Sequence, residues 1–242
     1  MQAFSPRCSP SRNAVLCGVK LYKSGLYTFY DHDIYKQLHE QYISLPQFLK
    51  DNGYSTFRSW KIYHSNKYDD FSWTDYLASK LYTKVFAKNK GFNINNKHSF
   101  RPVTNPLEKL FNHKATSYGI DVIAKHGSNA NNKPYFAAIG LVKPYLAFDC
   151  PVQFSDTLPQ AIEPPKLLVN DLDDIGKEGN SMRRPDIAEE FKRHNKWQAV
   201  RRAYLSCISW VDYNIGRIMT AVEKAQKRII RLWFYGLTMV TT

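Results

Sequence analysis

The stretch "YFAAIGLV" at 135–142 constrains the fold more than any other part of this chain. It is a continuous apolar run halted by "KPY", and such a run suits a strand covered on both faces, as in a parallel sheet. Helices must supply the cover. Leu205, Ile208, Val211, Ile215, Ile218, Met219 and Val222 recur at three-to-four spacing, which predicts a core-packing amphipathic helix over about 198–226. A second helix is announced by "SLPQFLKDNGY": Ser44 can cap free amides, Pro46 is tolerated in the first turn, and Gly53 suits a left-handed exit. The β-branched and aromatic "YSTFRSWKIYH" that follows reads as a strand. Helices alternating with buried strands predict an α/β layered sheet. The stretch from about 86 to 133, rich in Asn, Gly and Lys, reads as loop or insertion.

With 242 residues, 43% hydrophobic and 14% aromatic, the chain can bury one substantial core. No stretch approaches the roughly 20 apolar residues of a membrane span, and the first residues do not read as a signal peptide. A balance of 34 Lys and Arg against 21 Asp and Glu gives +13, which attracts polyanions such as sulfated glycans or nucleic acids. No nucleic-acid motif interrupts the charges, so a nucleic-acid partner is not expected. The basic segment at 183–202 is interleaved with Asp186, Glu189 and Glu190 and reads as an exposed helical face. Cysteines at 8, 17, 150 and 207 form no C-x-x-C pair, which leaves a zinc ribbon or thioredoxin-type motif unsupported. If Cys8 is committed to chemistry, at most one disulfide remains.

"CSPSR" at 8–12 places a cysteine where a helix would begin, with Pro10 in the first turn and Gly18 at the stop. Free amides and the partial positive charge of the helix terminus would face Cys8. Arg12 stands one turn on, on the same face. The pair would hold an anion.

C-x-P-S-R followed by a leucine and a glycine stop resembles the signature of the sulfatases. The resemblance implies that Cys8 is oxidised to formylglycine by a formylglycine-generating enzyme. The hydrated aldehyde would attack sulfur, with Arg12 stabilising its ionised form and the formylglycine itself serving as a metal ligand. "GYSTFRSWKIYH" resembles the second sulfatase signature, which implies that Lys61 contacts sulfate oxygens and His64 binds the diol or the sulfate. Trp60 stands there at the family's glycine. "YFAAIGLVKPYLAFDCPVQF", "RRAYLSCISWVDYNIGRIMTAV", "LPQFLKDNGY" and "LYTFYDHD" resemble the iduronate-2-sulfatase branch. Tyr145 falls on that branch's sulfate-binding histidine, where it can donate a hydrogen bond but cannot carry positive charge.

The expected fold is therefore the alkaline-phosphatase-like α/β sandwich with a mixed, mostly parallel central sheet. It would be present in part, with a partial N-terminal catalytic domain over 1–226 and a frame-shifted or non-native tail over 227–242. Family members bind a divalent cation, usually calcium, through an Asp-Asp pair before the cysteine and an Asp-His or Asp-Asn pair after the long helix; neither pair is visible here. A shifted frame of one permissible coding sequence for the tail reads Ser-Asp-His-Gly. Asp31, His32 and Asp33 offer a rival metal site if alternation along a strand sets both Asp side chains on one face. The expected activity is hydrolysis of sulfate esters, of glycosaminoglycans among others, along a lysosomal or secretory route, with this form of the chain inactive. The alternatives are a non-catalytic protein that binds sulfated or other anionic ligands, and a phosphoesterase using the Cys8 position directly.

Overall fold

The computed structural model of the chain describes residues 8–27, 32–64, 69–77, 92–94, 98–127, 133–163, 170, 173–181 and 185–225. The tail at 227–242 lies outside them. The chain divides into two compact units, one from Met1–Ala87, Pro106–Val142 and Asp212–Thr241, the other from Lys88–Asn105 and Lys143–Val211.

In the first unit, helix α1 (Cys8–Cys17) ends at Gly18 with φ +65°, and α2 (Leu21–Ser24) at Gly25 with φ +71°. Helix α3 (His32–Gln41) leads to α4 (Leu45–Asp51). Ser44 caps α4 by accepting from the Gln47 amide at 3.4 Å, Pro46 sits in its first turn, and Gly53 follows at φ +87°. These local features are the ones the sequence predicts. Strand β1 (Ser55–Trp60) comes next, then a 3-10 turn (Asp70–Ser72) and β2 (Asp75–Leu77).

The second unit contributes β3 (Phe92–Ile94) and β4 (His98–Val103). A 3-10 turn (Leu107–Lys109) then opens α5 (Phe111–Gly127) in the first unit, followed by β5 (Tyr135–Gly140). This corrects the reading of 86–133 as loop: the described part holds two strands and a 17-residue helix. The Asn-, Gly- and Lys-rich segments on either side of α5 dominate the composition, while the helix itself buries Phe111, Ala115, Val122 and Ile123.

The first unit's sheet has the order β2-β1-β5, all parallel, with Trp60 opposite Gly140. Among the described strands β1 is central and the most buried, whereas the apolar β5 stands at the end of the order and is half-buried. The central place of β1 is compatible with its polar side chains because three of them find partners. Thr56 Oγ1 donates to the Ser72 carbonyl at 2.8 Å, Ser59 Oγ accepts from the Gly140 amide at 3.2 Å, and Arg58 meets Asp70 at 2.7 Å.

Strand β6 (Phe148–Pro151) completes the second unit's sheet, β3-β4-β6, in which β3 runs antiparallel and β6 parallel to β4. The described strands thus form two three-stranded, mostly parallel sheets within an α/β architecture. Helices α6 (Val152–Asp156), α7 (Lys177–Ser181), α8 (Pro185–Arg193) and α9 (Trp197–Lys224) follow. The basic segment is two helices rather than one face, divided at Asn195 with φ +52°. Its exposed charges pair as Lys192–Glu189 and Arg193–Glu190, while Phe191 packs inward with Val200, Phe100 and Phe148.

The long helix α9 forms where its periodicity places it, but its buried stripe is rotated. Val200, Cys207, Trp210, Asn214, Ile218 and Val222 are buried and Ile208 is exposed. An apolar-only reading gives no credit to Asn214, whose Oδ1 accepts from Arg217 at 3.2 Å. In the first unit Ile218 and Val222 pack with Ile123 of α5 and Ile139 of β5. No helix among the described residues is long and apolar enough to cross a membrane.

Candidate functional site

Cys8 opens α1 and is 5% exposed, with Ser9, Pro10 and Ser11 buried behind it. Proline there costs no hydrogen bond, because the first amides of a helix have no intrahelical partner. One turn on, Arg12 Nε donates to Cys8 Sγ at 3.0 Å. Its Nη1 donates to the Lys61 carbonyl, and to that of Ile62 at 3.4 Å. A single guanidinium therefore fastens the exit of β1 to the start of α1, and the residues leaving the strand are Lys61 and His64.

That fastening works because the backbone runs tightly there. Trp60 has φ +22°, a region L side chains rarely adopt, which explains why a glycine suits this position. Its ring is placed against Phe111, with centroids 4.6 Å apart. The close backbone approach falls on its sheet partner instead: a Cβ at Gly140 would lie 2.5 Å from the Lys61 carbonyl carbon.

Electrostatics ties the four residues together. Burial holds the Lys61 ammonium below lysine's ordinary range; the Cys8 side chain opposes that shift and Arg12 adds to it. His64, only partly buried at its end of the loop, is also held low, by that burial first, then by the charges of Lys61 and Arg12. Cations gathered in this way around a buried helix start favour an anion among them.

Behind the loop lies a polar network that motif reading misses. Asp69, 4% exposed and at φ +137°, accepts from the Tyr63 and Ser72 hydroxyls, and from Ser44 Oγ at 3.3 Å. Trp73 Nε1 donates to Tyr63 Oη at 3.2 Å. Burial raises the Asp69 carboxyl to about 6 against the pull of its donors, and burial plus Asp69 raises the Cys17 thiol to about 12. Arg58, 3% exposed, lies 4.4 Å from the Tyr76 ring centroid and 5.3 Å from that of Tyr63. Tyr63, between Ile62 and His64, is thereby fixed on both sides. The visible signal is the Asp-Asp pair followed by Ser-Trp at 69–73.

Of the five predicted site residues, Cys8, Arg12, Lys61 and His64 come together in the first unit. Tyr145 belongs to the second, in the turn between β5 and β6. His32 and Asp33 open helix α3, so the strand alternation required for the rival metal site does not hold; Asp31 and both their side chains lie outside the described residues.

The donor set around Cys8, a thiol and three basic side chains, does not fit the oxygen-rich ligation a calcium ion requires. Among the described residues no group of three or more His, Cys, Asp or Glu could hold a metal.

Comparison with known proteins bears on this arrangement. The Sulfatase family model matches residues 1–235. A sulfatase of Formosa agariphila is 26% identical over 95% of this chain and 49% of its own length. Human iduronate 2-sulfatase is 26% identical over 90% of the chain and 44% of its own length. The chain thus spans about half the length of the curated relatives it matches. Among solved structures, BT4656 in complex with its substrate D-glucosamine-2-N,6-O-disulfate superposes with a TM-score of 0.53 at 16% identity, covering 93% of this chain and 54% of that one. That likeness shows the fold, and the family match over nearly the whole chain shows the lineage: the chain belongs to the sulfatase family.

Proposed function

We propose that the intact protein is a sulfuric ester hydrolase whose nucleophile is formed at Cys8. The observation that carries this reading is the convergence of Arg12, Lys61 and His64 on a cysteine at a helix start. Converted to formylglycine, position 8 would supply a hydrated aldehyde as the oxygen nucleophile for sulfur. Arg12, already hydrogen-bonded to the Cys8 side chain, would hold negative charge there. Lys61 would grip the non-bridging sulfate oxygens as a point charge. His64, whose protonated form is disfavoured by burial, Lys61 and Arg12, would take up and return a proton as the alcohol leaves. No step is assigned to calcium.

The substrate class that fits is a sulfated carbohydrate. The net charge of +13 favours a polyanion such as a glycosaminoglycan, and 2-sulfated iduronate is suggested by the name of the human relative. A lysosomal or secretory route, with a formylglycine-generating enzyme as partner, follows from the same reading. A second reading is anion binding without catalysis, for which Arg12, Lys61 and His64 would serve as they stand.

Sulfate release from an oligosaccharide ending in 2-O-sulfated iduronate separates the two. The hydrolase reading expects release that falls about 10²–10³-fold in Arg12→Ala, the usual cost of removing one charge-stabilising donor. Salt-sensitive binding of the same sugar with no sulfate released would select the second reading.

A further inference from the structure

The catalytic reading uses one of the four cysteines and leaves three, all within the described residues. Cys17 sits on α1 in the first unit near Asp69. Cys150 on β6 and Cys207 on α9 both belong to the second unit and are 2% and 0% exposed. The Cys207 thiol faces the backbone beside Cys150, and the two side chains act on each other electrostatically. Cys150 Sγ also reaches the Pro151 carbonyl at 3.6 Å, and Cys207 Sγ the Asp149 carbonyl at 3.9 Å.

Two buried thiols could serve simply as small apolar fillers. Their surroundings here are not apolar. Lys143 is 5% exposed, its ammonium donates to the Ala147 carbonyl, and its charge acts on both thiols. Asp149 next to Cys150 is 2% exposed and pairs with Arg101 through Nε–Oδ1 at 2.9 Å and Nη2–Oδ2 at 3.1 Å. The neighbouring Cys150 side chain and the nearby ammonium hold the Cys207 thiol below its ordinary range, while Cys207 and burial push Cys150 up. The pair is thus asymmetric, with one sulfur disposed to attack and the other to follow.

We infer that Cys150 and Cys207 are a redox-active dithiol that closes to a disulfide joining β6 to α9. The oxidant is a small-molecule disulfide, met while α9 docks onto β6. Cys207 thiolate attacks one of its sulfurs, forming a mixed disulfide and expelling one thiolate, which takes up a proton. Cys150, giving up its proton, attacks the Cys207 sulfur and expels the second. Two protein thiols are oxidised to one disulfide and one small-molecule disulfide is reduced to two thiols. The step is independent of the chemistry at Cys8, and Cys17 stays reduced.

Refolding the full chain in a mixture of oxidised and reduced glutathione tests this, with free thiols then alkylated and the protein digested for mass spectrometry. The expected result is one cross-linked species joining the Cys150 and Cys207 peptides, with Cys8 and Cys17 alkylated. Alkylation or glutathione capping of both Cys150 and Cys207, or a cross-link from either to Cys17 or Cys8, would overturn it. The double variant Cys150→Ser/Cys207→Ser should melt roughly 10 °C below the oxidised wild type, as expected for opening a loop of this length. The wild type treated with reductant under unfolding conditions and then refolded without oxidant should lose the cross-linked species.

Discussion

A methyl group added at residue 140 would have nowhere to go, since it would meet the Lys61 carbonyl carbon, amide nitrogen and Cα at 2.5, 2.6 and 2.8 Å. These are backbone atoms, which cannot swing aside as a flexible side chain would. Gly140→Ala should therefore cost about 1–3 kcal/mol of stability, as overpacking does. It should also weaken sulfate binding by moving Lys61, read as a smaller rise in melting temperature when sulfate is added. An unchanged sulfate response would show that Lys61 does not need this register. His64 gives a second residue-scale expectation. Burial, Lys61 and Arg12 hold its protonated form at a disadvantage, and a bound sulfate dianion opposes all three. Binding then takes up a proton, so the sulfate-induced melting shift should grow as pH falls below histidine's ordinary range and flatten above it. In His64→Gln the shift should be independent of pH. These residues were legible in sequence because each lies in a short motif; Gly140 and Asp69 were not, because their role is to meet a residue far away in the chain.

At the scale of elements, the loop after β1 is held by the Asp69 network as much as by Arg12. Asp69 receives three hydroxyl donors from three elements: the cap of α4, the loop and the 3-10 turn. Its carboxyl titrates at about 6 in the fold against 3.8 for an ordinary aspartate. The unfolded chain therefore sheds that proton first, and the fold loses stability as pH rises between those values, with the full cost present above them. Asp69→Asn does not titrate, so the stability of the wild type relative to this variant should decline across that window, measured by urea unfolding at several pH values. A difference that stays constant would mean Asp69 is ionised throughout. Elements with one strong local signal were read correctly from sequence, as with the Ser44 cap, the α1 start and α9. Helix α5 was missed because its inward face includes Asn112, Thr116 and Gly119, which break the apolar period. Each has a tertiary reason: Asn112 Oδ1 accepts from the Val142 amide at 3.0 Å, and a Cβ on Gly119 would strike the Ile139 side chain. The short β3 and β4 were hidden in the same way, since β4 owes its pairing to Phe148 and Asp149 nearly fifty residues on.

At the scale of the whole molecule, the chain carries a charge of +13 and belongs to the sulfatase family, while the proposed chemistry stands on one side chain. An α/β fold with parallel strands was legible from "YFAAIGLV" and the helices around it. The division into two units, each with its own three-stranded sheet, was not, because it depends on which strands pair. The central claim is that Cys8 is not left as a thiol. The mass of the tryptic peptide carrying Cys8, from protein made in cells that contain a formylglycine-generating enzyme, tests it most directly. The account predicts an aldehyde at position 8, seen as the corresponding mass loss and trapped by a hydrazide reagent, and absent in Cys8→Ser. A Cys8 peptide found wholly as the alkylated thiol would contradict it and leave Arg12, Lys61 and His64 as an anion-binding site without a nucleophile.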